Sequence, residues 1–231
     1  MVASALYDRL FNSSKMSGGA SKKNSLLALL MDKKEFFIKI FANLIVQLGI
    51  TYYTFLKIPG NYVPKINLWV LIIGMILLIF GIALPLPTWL KFIMFCMFSI
   101  INGFLLSSLK TTVSAQIIQN ALMGAMTIFV FMFSFALSLF GFGIYLNNTV
   151  GRYLFWALLL LIVLQFANMI AGTMFQKAFA FFGLLLFSIY IVYDTHKILS
   201  RDYFGDFVTA SFDYYLDILN IFIDIVTLNN H

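Results

Sequence analysis

The stretch FVTASFDYYLDILNIFIDIV, residues 207–226, is long and apolar enough to form a membrane-spanning helix, yet it contains three aspartates. A helix that crosses a hydrocarbon core about 30 Å thick needs about 20 predominantly apolar residues. A charged carboxylate near the middle of such a helix costs about 2.5 to 3.5 kcal/mol on insertion scales. These aspartates therefore indicate a requirement beyond the packing of a membrane helix.

The rest of the chain has the composition of an integral membrane protein. It has 231 residues, of which 62% are hydrophobic and only 10% are charged, and its mean hydropathy is +0.96. Its apolar windows span residues 36–56, 68–84, 90–109, 117–140, 153–172, 175–196 and 207–228. Because the loops between them are mostly short, neighbouring helices are expected to pack antiparallel. We predict an all-α, seven-transmembrane helix bundle in one domain, residues 36–231.

Residues 1–35 are predicted to form a flexible, basic, cytosolic tail. Residues 1–39 hold seven Lys or Arg against three acids, and the centre of the tail reads SSKMSGGASKKNS. An excess of basic residues favours the cytosolic side, and such a segment is expected to meet anionic lipid headgroups rather than nucleic acid. The side on which the C-terminus lies stays open.

Acidic residues are distributed very unevenly along the chain. Residues 36–193 contain none, and six lie in the last 38 residues. These six are Asp194, Asp202, Asp206, Asp213, Asp217 and Asp224. In the last segment Asp213, Asp217, Asn220 and Asp224 are spaced i, i+4, i+7 and i+11, which places them on one stripe of a helix.

Asp194 and Asp217 are almost equally distant from Gly205 in the connection between the last two segments. In a helical hairpin they would therefore lie at similar depth and could face each other. Two adjacent carboxyl groups in a poorly solvated place cannot both ionise at low cost, so the pair is expected to share a proton and to act as a pH switch. The charged oxygens, with Asn220, also suit calcium. The alternative is that Asp194 and Asp213 are merely interfacial.

Two segments carry a resemblance to a known family. FFGLLLFSIYIVYDTHKIL, residues 181–199, followed by residues 207–226, resembles the signature of the transmembrane Bax inhibitor motif family. The likeness is greatest to the Golgi anti-apoptotic and lifeguard branches, which also occur in large DNA viruses. FFIKIFANLIVQLGIT, residues 36–51, resembles the first helix of the family more weakly.

The resemblance implies a fold in which the last helix is surrounded by the others, with Asp194 and Asp217 as a proton-sensitive latch. It implies a pH-sensitive calcium leak in the Golgi or endoplasmic reticulum, with the plasma membrane as an alternative, that lowers store calcium and suppresses apoptosis. Calcium would be the permeant ion, no cofactor would be tightly bound, and partners would include membrane lipids and cell-death regulators or other membrane proteins. This sequence has Asn102 where many members have a Glu. The predicted secondary ion pathway is Asp213, Asn220, Asp224 and Asn102.

Other functions remain as alternatives. A proton-coupled cation exchanger would also use a titrating acid pair in a membrane, and a non-conducting scaffold that modulates cell-death proteins would not need one. An intramembrane aspartyl protease is disfavoured because the Gly-x-Gly-Asp context is absent. The sequence has no Gly-rich phosphate loop and no Cys/His cluster. We therefore predict a protein that is not an enzyme and does not bind haem, nucleotide, zinc or nucleic acid.

Overall fold

The structure is a computed structural model that describes residues 20–65, 68–171, 175–200, 203 and 205–230. It is all-helical, with no strand among the described residues. The α-helices in chain order are α1 (Ala20–Asp32), α2 (Lys34–Lys57), α3 (Leu68–Ala83), α4 (Thr88–Leu106), α5 (Leu109–Thr112), α6 (Ala115–Gly141), α7 (Asn148–Ala171), α8 (Gln176–Ser200) and α9 (Phe207–Asn229). A 3-10 turn, Gly60–Lys65, follows α2.

Each of the seven apolar segments forms a helix. Among the described residues, five helices are long and apolar enough to cross a membrane: Lys34–Lys57, Thr88–Thr112, Ala115–Gly141, Asn148–Gln165 and Gln176–Ser200. The other two predicted spans, α3 and α9, are not among these five helices, for simple reasons. Helix α3 has only 16 residues, and α9 carries three aspartates. The prediction of an all-α membrane helix bundle is confirmed.

Helix α1 differs from the predicted flexible tail. Residues 20–32 are helical and pack against α2 and α6, because the apolar run at residues 26–31 supplies side chains that reach the core. Leu29 and Leu30 contact that core, and Leu26 lies against Gly141 of α6. Residues 1–19 of the predicted tail lie outside the described residues.

Polar contacts near the ends of the helices show that the helices alternate in direction. Lys33 Nζ donates to the Ile198 carbonyl at 2.9 Å, and Lys91 Nζ lies 2.5 Å from Asp206 Oδ2. We call this the tail end of the bundle. At the opposite end, the far end, Lys110 Nζ donates to backbone carbonyls at and just beyond the C-terminus of α2, at 3.1 and 2.8 Å. Which membrane face each end meets stays a prediction.

Helix α9 lies at the centre of the bundle, as the resemblance implied. Thirteen of its 23 residues are buried, and it packs against α2, α3, α4, α6 and α8. Tyr215 meets Phe95 of α4 edge-on at 5.0 Å, and Tyr214 meets Phe129 of α6 at 5.2 Å. Helix α7 packs against α8 instead. The most acidic membrane helix is thus the one most fully surrounded by protein.

A chain of buried polar side chains, the polar spine, ties α9 to α2 and α4. Its members are Asn43, Gln47, Thr51, Ser99, Ser211 and Tyr215. Asn43 Nδ2 donates to Ser211 Oγ at 2.5 Å, and the hydroxyls of Thr51 and Tyr215 are 2.6 Å apart. Gln47 accepts from Ser99 Oγ at 2.8 Å. Because hydrocarbon offers no alternative partner, such bonds fix the register between helices.

The connection from α8 to α9 is short and anchored. Gly205 has φ +78°, a left-handed conformation that glycine adopts without steric cost. Asp206 follows as the N-cap of α9, and its Oδ1 accepts from the Thr209 backbone N–H at 3.0 Å. Burial alone would raise the pKa of Asp206, but hydrogen bonds from Lys91 and Thr209 outweigh it and hold the pKa below its usual value.

The Asp206 contacts lead to a prediction about acid stability. A carboxyl whose folded pKa is lowered stabilises the protein above its unfolded pKa of about 4, and that stabilisation is lost as pH falls through the lower folded pKa. Asp206→Asn should therefore reduce the free energy of unfolding at neutral pH by about 1.5 to 3 kcal/mol and flatten the loss below about pH 4. Denaturant unfolding of purified protein across that range measures both effects.

The matched control is Asp32→Asn, because Asp32 is exposed at the end of α1. It should change the free energy of unfolding by less than about 0.5 kcal/mol. If the Asp206→Asn variant has the same free energy of unfolding and the same pH profile as the unmodified protein, the contact with Lys91 does not contribute to stability.

Candidate functional site: an acidic cavity beside α9

A cavity of about 370 Å³ lies between α3, α7, α8 and α9. Aliphatic side chains and Phe187 make up half of its lining residues. The residues with polar groups at its surface are Gln165, Tyr190, Asp194, Asp213, Asp217, Asn220 and Asp224. Acidic groups and neutral oxygens are therefore gathered at one place in an otherwise apolar bundle.

The acidic stripe predicted on the last helix faces this cavity. All four of its members, Asp213, Asp217, Asn220 and Asp224, are among the lining residues. Asp224 is pressed against α8 at Gly183, where a Cβ atom would lie 2.5 Å from Asp224 Oδ2. Glycine at this position is what lets the Asp224 carboxyl group lie between the two helices.

The structure brings Asp194 and Asp217 to the same cavity from two antiparallel helices. Asp194 lies on the last turns of α8 and Asp217 in the middle of α9. Both are buried, with 5% and 4% of their surfaces exposed. Both carboxyl groups are therefore enclosed by protein, and the depth of Asp194 in the membrane stays a prediction.

Asp213 has a different environment, at the tail end of the stripe. Its Oδ2 accepts hydrogen bonds from Lys197 Nζ at 2.8 Å and from Tyr203 OH at 2.9 Å. The same lysine lies 3.8 Å from Asp194 Oδ1 and 4.7 Å from the centre of the Tyr203 ring. One cation, Lys197, therefore lies close to the two acids at the tail end of the cavity.

The deeper acids have fewer partners. Asp217 Oδ2 and Asp224 Oδ2 are buried, and neither receives a hydrogen bond from the described residues. Leaving a buried acceptor without a partner costs about 1 to 3 kcal/mol, and more if it is charged. These oxygens therefore need a proton, a cation or a water molecule as a partner where they lie.

The acids do not form a closed metal site. Within the described part of the chain, no group of three or more His, Cys, Asp or Glu side chains could hold a metal ion. Asp217 and Asp224 are seven residues apart, about 10 Å along the helix. The prediction that Asp194 and Asp217 ligate calcium stays a prediction.

Asn102 is not part of this cavity. It lies on α4, which contributes no lining residue, and its amide donates to the Phe98 carbonyl of its own helix at 2.9 Å. Its grouping with the α9 acids was inferred from the family pattern, whereas α4 meets α9 through Phe95, Phe98 and the polar spine. The proposed path through Asn102 therefore has no support in this geometry.

Two lining residues were not anticipated from the sequence. Gln165 reaches the cavity from α7, and Tyr190 lies one turn before Asp194 on α8. Gln165 does carry a signal, because it interrupts a continuous apolar run in its segment. Tyr190 has no such signal, since tyrosines are common in these helices.

The comparison with protein families agrees with this arrangement. The family model described as "Inhibitor of apoptosis-promoting Bax1" matches residues 33–230, which includes every helix that lines the cavity. The chain belongs to the Bax inhibitor family. The predicted resemblance is thereby confirmed at the level of the family, and its Golgi and viral details stay predictions.

Individual relatives of this Bax inhibitor family member come from several kingdoms. "Bax inhibitor 1" of Schizosaccharomyces pombe is 29% identical over 206 residues, which cover 84% of this chain and 75% of that protein. An uncharacterized protein of Helicobacter pylori is 39% identical over 80 residues, 34% of each chain. "Protein LIFEGUARD 2" of Arabidopsis thaliana is 30% identical over 83 residues, 35% of each chain.

The contact between Gly183 and Asp224 can be tested by adding one methyl group. Gly183→Ala should lower the free energy of unfolding by about 1 kcal/mol, because the new Cβ overlaps the Asp224 carboxyl group, which must leave its position between α8 and α9. In an Asp224→Ala background the same change should cost little. Unfolding of the single and double variants in a denaturing detergent measures the difference.

Gly74→Ala on α3 is the matched control, because no described atom lies within 4 Å of a Cβ built there. It should be neutral or slightly stabilising, as alanine favours helix more than glycine by about 1 kcal/mol. If Gly183→Ala lowers the free energy of unfolding equally in the natural and Asp224→Ala backgrounds, the contact between Gly183 and Asp224 is contradicted.

Proposed function

We propose that this chain is a pH-sensitive calcium-leak channel of intracellular membranes, gated by Asp194 and Asp217. The observation that carries the proposal is the burial of these two carboxyl groups, from two antiparallel helices, against one cavity beside the central helix. A purely structural role would not require two buried carboxyl groups in a cavity that one lysine, Lys197, serves. Intramembrane carboxyl groups without matching cations are typical of ion and proton pathways.

The gate follows from the chemistry of a carboxyl pair. With one proton between them, the protonated group donates to the charged group and holds α8 against α9. When both are deprotonated, their like charges repel and the two helices are pushed apart. The flux of cations should therefore rise with pH.

The neighbours of each acid suggest where the shared proton is held. Lys197 lies 3.8 Å from Asp194 and favours its charged form, whereas Asp217 Oδ2 receives no hydrogen bond from the described residues. Asp217 is thus the better proton carrier of the two. Lys197 is itself bound to Asp213, so its charge is shared at the tail end.

The residues beyond the gate suit a hard cation. Asn220 and Asp224 continue the stripe towards the far end, and Gln165 adds a neutral oxygen from α7. Calcium prefers carboxylate and amide oxygens, and conduction requires sites that bind an ion without retaining it. Carboxyl groups spaced along the helix, with no closed cluster among the described residues, fit that requirement.

The biological role is proposed from the family. The family description and the fission yeast relative both name inhibition of Bax or of apoptosis promoted by it. A calcium leak from the endoplasmic reticulum or Golgi would lower the calcium available for death signalling. Cell-death regulators or other membrane proteins would be partners, and the role would be transport rather than catalysis.

The proposal is tested by calcium release from dye-loaded proteoliposomes between about pH 5 and 8. Flux through the unmodified chain should rise with pH by up to about tenfold per pH unit over the titration of one proton. Asp217→Asn should lose this response, because the pair can no longer carry two charges. Asp32→Asn, at an exposed site on α1, should keep it.

The alternatives give different results in the same vesicles. A proton-coupled exchanger would move protons against calcium in a fixed ratio, which a pH dye inside the vesicles would detect. A non-conducting scaffold would give no flux at any pH. A pH response that persists in both Asp194→Asn and Asp217→Asn would contradict the aspartate gate.

A further inference from the structure

A second feature lies on the opposite side of α9 from the acids, between α2 and α6. Near the tail end these two helices are closed against each other by aromatic rings. Phe41 of α2 lies 6.4 Å from Phe129 and 5.4 Å from Phe133 of α6, and Phe37 lies 6.1 Å from Phe133. These aromatic contacts lie towards the tail end of α2 and α6.

Towards the far end the two helices part and leave a groove of about 330 Å³. Ile45, Gly49 and Tyr52 line it from α2, Leu122 lines it from α6, and Phe222 of α9 contributes to its floor. The α2 wall extends from residue 45 to residue 55, about 15 Å along a helix. That is about half of the 30 Å hydrocarbon thickness, the depth of one leaflet.

The groove continues into a second, wider cavity of about 730 Å³ with a polar mouth. Tyr52, Phe55 and Leu122 line both cavities. The mouth holds Lys110 and Gln119. An apolar channel one leaflet deep therefore opens beside a cation and an amide.

Lys110 is held in position at that mouth. Its Nζ donates to the carbonyls of Leu56 and Ile58 at 3.1 and 2.8 Å and lies 4.8 Å from the centre of the Phe55 ring. An ammonium group has three N–H donors, so one donor remains for an anionic oxygen. The side chain is exposed and able to meet a headgroup.

The charge of the far end favours an anion. The loops at this end contain Lys57, Lys65, Lys110 and Lys177, and no acid occurs anywhere in residues 36–193. Each lysine close to a bilayer surface that contains anionic lipid contributes about 1 kcal/mol of attraction to that surface. No acidic side chain in residues 36–193 therefore balances the positive charge of Lys110 at the mouth of the wider cavity.

We propose that this groove binds one acyl chain of an anionic phospholipid, whose headgroup is held at Lys110. In a bilayer an apolar groove gains little from hydrophobicity alone, because hydrocarbon surrounds it everywhere. The shape of the groove provides van der Waals contacts along the acyl chain. Lys110 provides the preference for an anionic headgroup. This site is separate from the acidic cavity and does not depend on the proposed transport function.

The first test fills the groove. Gly49→Leu places a side chain into the α2 wall, where no described atom lies within 4 Å of a Cβ, and Gly74→Leu is the matched control on α3. Delipidated full-length protein is titrated with phosphatidylglycerol, and bound lipid is counted by native mass spectrometry. The unmodified protein and Gly74→Leu should retain one tightly bound lipid, and Gly49→Leu should lose it.

Leu122→Trp fills the groove from α6 and should cause the same loss, so that the test does not depend on one variant folding. Size-exclusion chromatography identifies variants that fail to fold. Retention of the lipid by either well-folded groove-filling variant would overturn the proposed site.

The second test concerns the headgroup. Phosphatidylglycerol should bind more tightly than phosphatidylcholine with the same acyl chains, and Lys110→Gln should reduce that preference by about fivefold. Lys177→Gln, which removes a charge from the same end outside the groove, should leave it unchanged. Equal preference in Lys110→Gln and the unmodified protein would overturn the role of Lys110.

Discussion

The arrangement depends on one constraint: a helix that carries three aspartates cannot face lipid. The insertion cost of about 2.5 to 3.5 kcal/mol for each charged group is avoided only if protein surrounds the helix. Helix α9 accordingly lies at the centre, in contact with five other helices. These five helices cover it, and α8 is joined to it by the short connection that contains Gly205.

The two sides of α9 meet this constraint differently. On one side, Ser211 and Tyr215 belong to the polar spine, in which hydrogen bonds to α2 and α4 satisfy the polar groups. On the other side, Asp217 and Asp224 each keep an oxygen that accepts no hydrogen bond from the described residues. A fully satisfied network fixes a structure, whereas an incompletely satisfied one responds to protons or cations. The central helix is therefore fully hydrogen-bonded along the polar spine and incompletely hydrogen-bonded on the acidic face, where the proposed gate lies.

Much of this arrangement could be predicted from the sequence because it depends on simple periodicities. Continuous apolar windows located the membrane helices, and the i, i+4, i+7, i+11 spacing placed the acids on one face. The symmetric distance from Gly205 placed Asp194 and Asp217 at similar depth. Each of these inferences uses only helix geometry and the local order of residues.

The remaining features depend on tertiary contacts that periodicity does not encode. Helix α1 forms where a tail was expected, because Leu29 and Leu30 find the core. Lys197 serves Asp213 and Asp194 together, which no spacing rule indicates. Asn102 was grouped with the acids by family pattern, but α4 contributes no residue to the acidic cavity, and the Asn102 amide donates to the Phe98 carbonyl of its own helix.

The central claim is that Asp194 and Asp217 share one proton, and infrared difference spectroscopy tests it most directly. Spectra of the reconstituted protein would be recorded as pH is raised from about 5 to 8. The experiment uses an Asp224→Asn background, because Asp224 is the other buried carboxyl group of the cavity without a hydrogen-bond partner among the described residues. In that background we predict a band of a protonated carboxyl group that disappears as pH rises and is absent when Asp194→Asn or Asp217→Asn is added. A titrating band that survives both additions, or no titrating carboxyl band in the Asp224→Asn protein, would contradict the account.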